Sequence, residues 1–415
     1  MARSTPPGDD PRSFFAAVGV PWAGSLIRNA QGAPKAILYN AIVLLTEAPA
    51  FNNSGRNSIR HNAFRAQTML CAPVPWDLTP TVPRPWTDQD DREAAAWMQD
   101  NQVNVGVPEA ARAVQTVAER DKYHPVMDYL NQISWDGVPR LDTWLVAYIG
   151  TEDTEYTQAV GPRWMISGVA RIYEPGCKAD CVLVLEGPQG ILKSSALAEI
   201  GGAWYTNDVA ALGTTAAQEQ ILGNWIVELD ELEAVTRARD VVAVKAFVSR
   251  SIDKFRLPYG HRSHAHPRQC IFGGTTNRET WMRDETGGRR WWPVRCGLID
   301  IDALRQDRDQ LWAEARDRYL TRERWWLDTP GLTSAASEEQ EARFEQDPWQ
   351  EVIVEHLHGL NETSMNLLCN TVGLPTERRS PTEAKRIAAI MRRLNWQRKQ
   401  VGTGPHRSWK YVPKV

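Results

Sequence analysis

The sequence predicts an α/β protein: a three-layer domain in the middle of the chain, a mainly helical region before it, and a small basic unit shaped like a winged helix after it. Three observations carry that expectation. Short apolar runs alternate with helix patterns as far as about Pro293, as parallel strands joined by helical crossovers require. One of these runs, Cys181-Val182-Leu183-Val184-Leu185-Glu186, opens directly into Gly187-Pro188-Gln189-Gly190-Ile191-Leu192-Lys193-Ser194-Ser195. From Thr376 to Val415 eleven Lys and Arg stand against two acids, a local balance of +9 in a chain whose net charge is −3.

A chain of 415 residues exceeds one ordinary core and divides into two or three domains. Residues 1–120 form the helical accessory region, with proline breaks from Pro73 to Pro85 and helix patterns at Asp88–Met98 and Pro108–Arg120. Residues 121–330 hold the phosphate-loop domain and its helical lead-in, whose turns fall at Trp135-Asp136-Gly137-Val138-Pro139 and Ile149-Gly150. Residues 331–346, polar and acidic, read as a linker or an exposed helix, and 347–415 as the basic unit. The six cysteines are scattered, which points to reduced thiols rather than a disulfide framework or a zinc site. No secretory signal core is present at the N-terminus. The strongest apolar run, Ala36 to Leu45, is interrupted by Asn40 and falls short of the ~20 residues a membrane span needs. A cytoplasmic protein with no membrane partner is the expectation.

The glycine loop after the apolar run has the chemistry of a phosphate cradle. Gly187, Gln189 and Gly190 let backbone N–H groups turn inward, Lys193 brings a cation to the outer phosphates, and Ser194, followed by Ser195, offers a hydroxyl to Mg²⁺. Leu192 stands where a glycine is usual. The plain alternative is a strand-to-helix turn that happens to carry a lysine.

Downstream, Trp225-Ile226-Val227 leads into Glu228-Leu229-Asp230-Glu231. Carboxylates at a strand end hold Mg²⁺ and polarise attacking water, so Glu228, Asp230 and Glu231 are catalytic candidates and Ser194 with Glu228 the candidate metal ligands. Acids opening a helix would look alike. A third run, Cys270-Ile271-Phe272, ends in Gly273-Gly274-Thr275-Thr276-Asn277, where Asn277 either senses the γ-phosphate or merely forms a turn. Arg289 and Arg290, after glycines and before Trp291-Trp292-Pro293, suit an anion or stacking on the tryptophans. Between these elements, Lys254, Arg256, Tyr259, His261 and Arg262 interleave bases and an aromatic around a Pro/Gly turn, a pattern for gripping nucleic acid. His261, His264 and His266 leave a metal site as the lesser alternative.

In the last unit, helix patterns at Pro348–His358, Ser364–Thr371 and Pro381–Leu394 precede two strands that bracket Gly402-Thr403-Gly404-Pro405. Lys385, Arg386, Arg392, Arg393, Arg398 and Lys399 then lie on or beside a helix suited to the major groove of duplex DNA. A solvated basic face is the alternative.

The order of these residues resembles the virulence-associated E family of phage and prophage proteins, which belongs with the superfamily 3 helicases, ring-forming ATPases of the AAA+ type. The resemblance rests on Tyr123-His124-Pro125-Val126, Trp135-Asp136-Gly137-Val138-Pro139-Arg140, Pro175-Gly176-Cys177-Lys178, Glu186-Gly187-Pro188-Gln189-Gly190, Trp225-Ile226-Val227-Glu228, Phe255-Arg256-Leu257-Pro258-Tyr259-Gly260, Gly274-Thr275-Thr276-Asn277 and Thr286-Gly287-Gly288-Arg289-Arg290-Trp291-Trp292-Pro293-Val294, covering residues 123–294. It implies a P-loop AAA+ core using ATP and Mg²⁺, and a DNA-stimulated ATPase or helicase in replication of a mobile element within a bacterial host. A homo-oligomeric ring, hexameric by preference, would hold single-stranded DNA in its pore. By position the resemblance makes Lys193 and Ser194 the phosphate and Mg²⁺ ligands, Asn277 the sensor, and Arg289 or Arg290 the arginine finger. The acidic pair is Glu228 with Glu231, or Asp230 with Glu231. A nucleotide-switched DNA-binding initiator or regulator with little turnover is the second reading.

Overall fold

The computed structural model describes residues 21–53, 55–230, 232, 241–256, 263–282, 288–401 and 408–414. Its first part contains helix α1 (Leu38–Glu47), the paired strands β1 (Asn52–Asn53) and β2 (Arg56–Asn57), strands β3 (Ile59–Asn62), β4 (Gln67–Leu70) and β5 (Arg84–Pro85), helices α2 (Asp88–Asp100) and α3 (Val107–Arg120), and strand β6 (Lys122–Tyr123). Thr87 starts α2 by a reciprocal cap with Asp90. In α3, Ala110, Ala113, Val114, Val117 and Ala118 bury one face at helical spacing. These helices close a core with Leu44, Phe51, Ile59, Leu70 and Trp97. The helices match the expectation, and a small sheet in the order β5-β4-β3-β6 is added to it. Its strands are two to four residues long, too short for alternation to show in sequence.

The central part begins with α4 (Pro125–Gln132), α5 (Trp144–Ile149) and α6 (Glu155–Tyr173), then β7 (Val182–Glu186), α7 (Lys193–Gly201), β8 (Tyr205–Thr206), α8 (Thr215–Gln220), β9 (Ile226–Leu229) and α9 (Val241–Val248). It continues with the antiparallel pair β10 (Ile252–Phe255) and β11 (His264–Pro267), then β12 (Ile271–Thr276), β13 (Trp291–Arg295), α10 (Ile301–Leu320) and α11 (Pro330–Ala342). Five strands form one parallel sheet in the order β13-β7-β12-β9-β8. Leu183 and Leu185 of β7 face a core with Trp164, Leu197 and Trp312. Val182 and Val184 face the other way, toward Phe247, Phe272 and Trp291. Because both faces are covered, β7 is apolar without alternation, as a central parallel strand must be. A Cβ on Gly273 would lie 2.8 Å from the Leu197 side chain, so this glycine lets α7 sit close on the sheet.

The turn at Trp135–Arg140 is structural. Arg140 pairs with Asp136 at 2.9 Å, and the Arg140 N–H donates to Glu314 of α10. The hydrogen bonds from Arg140 bring the Asp136 carboxyl down to about 2.

Of the two expectations for residues 331–346, a linker or an exposed helix, the helix is found, though not wholly exposed. Most of this segment is α11, with Leu332, Ala336 and Gln340 buried. One buried residue per turn makes a stripe too narrow to stand out among Ser and Glu. Beyond it the helix α12 (Pro348–Leu357), α13 (Met365–Thr371), α14 (Pro381–Arg393) and the hairpin β14 (Trp396–Val401) with β15 (Ser408–Pro413) enclose Ile353, Leu368, Ile387, Ile390, Met391 and Tyr411. These elements lie where the sequence patterns put them.

Candidate functional site

In the parallel register Thr276 stands beside Glu186 and Gly274 beside Leu229, so three strands end in a row. The glycine loop leaves β7 at this edge. Gly187 and Gly190 have φ of +150° and +86°, and Leu192 has φ 70°. A left-handed conformation costs a residue with a Cβ about 1 kcal/mol, and Leu192 adopts it with its side chain 49% exposed.

Lys193 opens α7 and is buried, its Nζ donating to the Gly187 and Pro188 carbonyls at 2.7 and 2.8 Å and to Asn277 Oδ1 at 2.8 Å. Its neighbour Ser194 donates from Oγ to Glu228 Oε1 at 2.7 Å. Glu228, 1% exposed, shares the β9 face of Ile226 because side chains two apart point the same way. That face carries α7. Glu228 Oε1 also lies 2.8 Å from Thr275 Oγ1, which is 3.1 Å from Asp230 Oδ1, and the Tyr205 hydroxyl donates to Glu228 Oε2. Burial, then the carboxylate beside it, pushes the Tyr205 hydroxyl above its ordinary range, so it remains a donor.

The structure therefore brings Lys193, Ser194, Glu228, Asp230 and Asn277 to one strand edge, with Gln189, Gly190 and Ser195 exposed around them. Glu231 lies outside the described residues. Sequence reasoning missed Tyr205 and Thr275, which orient Glu228. Thr275 sits inside the Gly274–Asn277 stretch that carries the resemblance, whereas Tyr205 belongs to a two-residue strand that gives no pattern. Glu186 was missed as well. It is 5% exposed and accepts hydrogen bonds from Trp281 Nε1 and Arg343 Nε, both at 2.7 Å. Burial raises its carboxyl above the ordinary value despite Arg343.

Arg289 and Arg290 lie elsewhere. They precede β13, whose Trp291 pairs with Val182 at the start of β7, which puts them at the opposite edge of the sheet. Arg290 Nε bonds Ser249 Oγ at 2.7 Å and pairs with Asp180 at 3.5 Å. Arg289 is exposed and has no ion pair among the described residues.

Of the nucleic-acid candidates, Lys254 and Arg256 are exposed at β10. Tyr259, His261 and Arg262 lie outside the described residues. On α14, Arg386 pairs with Asp347 at 2.6 Å and stacks 3.8 Å from the Trp349 ring, and Arg393 lies over Phe344. One face of that helix thus serves intramolecular contacts. Lys385, Arg392, Arg398 and Lys399 are exposed, with Arg398 4.8 Å over Trp409. Among the described residues no group of three or more His, Cys, Asp or Glu is placed to hold a metal ion. Nor is any helix there long and apolar enough to cross a membrane.

Residues 130–345, just over half of the 415-residue chain, match the virulence-associated protein E-like domain. Among solved structures, three of the C-terminal region of NrS-1 in apo form are similar at 13%, 12% and 10% identity, with TM-scores of 0.41, 0.39 and 0.39. Each match covers 69% of this chain and 78% of that chain. No curated protein matches the chain.

Proposed function

This chain belongs to the virulence-associated protein E-like family, and on that premise we propose that it is an ATP-hydrolysing DNA translocase or helicase in replication of a phage or prophage-type element. Its core is a P-loop AAA+ domain of the superfamily 3 helicase kind, assembled as a ring with hexamers favoured. The observation that carries the reading is the 2.7 Å bond from Ser194, next to Lys193, to the buried Glu228. It joins the glycine loop of one strand to the acid of another that is not its neighbour in the sheet.

A hydroxyl and a carboxylate so close are hard oxygen donors, and they fit Mg²⁺, which takes such groups together with phosphate oxygens and water. Bound there, magnesium supplies charge neutralisation at the phosphates. The chain's own groups supply the rest. The loop and the α7 N-terminus present N–H groups to phosphate, and Lys193 adds the cation. Glu228 accepts a proton from the attacking water, with Asp230 beside it and Asn277 orienting. Tyr205 and Thr275 hold Glu228 in place. Arg289, at the far edge of the sheet, serves a neighbouring copy's nucleotide, so the subunits complete one another's sites. Lys254 and Arg256, with Tyr259, His261 and Arg262, face single-stranded DNA. The C-terminal helices and hairpin form a winged-helix-like unit that meets duplex through Lys385, Arg392, Arg398 and Lys399.

One observation favours a second reading, a nucleotide-switched initiator with little turnover. Glu228 accepts from Ser194, Thr275 and Tyr205 together, an arrangement that holds the acid away from water. Steady-state ATP hydrolysis with and without single-stranded DNA separates the two. Turnover that rises with DNA and falls about 100-fold or more in Lys193→Ala supports the motor. Nucleotide binding without turnover selects the switch, and no nucleotide binding sinks both.

A further inference from the structure

At the sheet edge opposite the glycine loop, a cavity of roughly 550 Å³ is lined by Trp292, Trp325, Trp326 and Leu327, together with Lys178, Arg289 and Arg290, one acid, Asp180, and Ser337. Trp326 is 47% exposed and Trp292 only 1%, and the buried Trp292 Nε1 has no hydrogen-bond partner among the described residues. The Lys178 and Arg289 cations make no ion pair among the described residues. A hollow walled by tryptophans, with two outward cations beside it, is therefore open at this edge.

The other edge displays the complementary feature. Leu192 holds a strained left-handed backbone where glycine would be relaxed, and half of its side chain stands in solvent. Among the described residues the leucine is only half covered. A phosphate-bearing loop is anionic, and the cavity, where Asp180 is paired with Arg290, keeps the charges of Lys178 and Arg289, so the two edges match in charge as well as in polarity.

We infer that Leu192 of one copy seats in the Trp325–Trp326 cavity of the next, a contact that delivers Arg289 to the nucleotide on the loop. This rests on the ring reading proposed above and specifies its interface. It also gives the leucine a role: the strain at residue 192 is offset when the side chain leaves water on assembly. The heterologous contact, loop edge against cavity edge, is the kind that closes rings.

The test is nucleotide-dependent self-association of the full chain by sedimentation velocity, with ATP analogue binding measured alongside. Leu192→Gly relaxes the backbone and removes the anchor, and should weaken self-association about 10-fold, as loss of one buried leucine implies. Ser337→Trp fills the cavity from an exposed helix position, and should weaken assembly similarly while the monomer binds nucleotide as before. Assembly unchanged in both variants overturns the contact and leaves the ring reading intact. A wild-type chain that binds nucleotide yet never self-associates overturns the ring reading and the contact with it. If Ser337→Trp lowers affinity for a DNA oligonucleotide while assembly is unaffected, the cavity belongs to nucleic acid and the inference is wrong.

Discussion

The two edges of the central parallel sheet differ in how far their charges are satisfied. At the loop edge Lys193 donates to three oxygens and Glu228 accepts from three hydroxyls, all from the same chain. At the opposite edge Arg290 is tied to Ser249 and Asp180, while Arg289 and Lys178 face outward beside a cavity of roughly 550 Å³. Strands β7 and β13 separate the two edges by five residues each, about 15 Å of extended chain, longer than an arginine side chain. The difference teaches that one edge satisfies its charges within the chain and the other leaves them facing outward, and that under the proposed reading a single copy cannot bring both edges to one nucleotide.

The comparison can be broken most severely at the loop edge. Glu228→Gln keeps the shape, with its amide oxygen still accepting from Ser194 and its amide N–H turned to the Tyr205 oxygen, but removes the base. Hydrolysis is expected to fall about 1000-fold with nucleotide binding retained; a variant that hydrolyses normally would move the base to Asp230. A smaller effect is expected from Tyr205→Phe, which frees one oxygen of Glu228. Turnover should drop only a few-fold, and stability by about 1 kcal/mol, the ordinary value of one hydrogen bond, read by denaturant titration. Faster hydrolysis in this variant would instead identify the tyrosine as a brake.

The smallest expected effect is in pH dependence. Burial raises the Glu186 carboxyl above its ordinary 4.5 in the folded chain. The folded state therefore binds this proton more tightly than the unfolded chain does. Its contribution is fully present below the ordinary glutamate value and is lost as pH rises through the raised value. Relative to Glu186→Gln, the wild-type denaturation midpoint should decline as pH rises across that window. Parallel profiles for the two proteins would show that Arg343 compensates the charge in full.

What was legible in sequence follows the same division. The loop, the acid at Glu228 and Asn277 just past β12 were readable because each follows an apolar run, and three such runs in order outweigh the ordinary turn or helix start that each alone allows. Their convergence needed the sheet order, since β12 lies between β7 and β9. Tyr205 and Thr275 were not readable as partners of Glu228, because a hydroxyl in a short strand carries no periodicity. Arg343 was hidden in a segment whose polarity resembled a linker, although it reaches the buried Glu186. The C-terminal helices and hairpin were legible from spacing alone. Which of their arginines turn inward was not, because Arg386 meets Asp347 and the Trp349 ring and Arg393 the Phe344 ring, partners that helical spacing does not reveal. The cavity opposite the loop had no signal, being assembled from five separate stretches of chain.

The central claim is that one nucleotide lies between the loop edge of one copy and the arginine edge of another. Mixing is its most direct test: Lys193→Ala and Arg289→Ala proteins, each inactive alone, are combined in equal amounts and ATP hydrolysis is measured. Random assembly into a closed ring leaves about a quarter of the interfaces with an intact loop facing an intact arginine, so hydrolysis should return to about that fraction of the wild-type rate. Two inactive proteins that stay inactive together, at concentrations where the wild type assembles and hydrolyses, would contradict it.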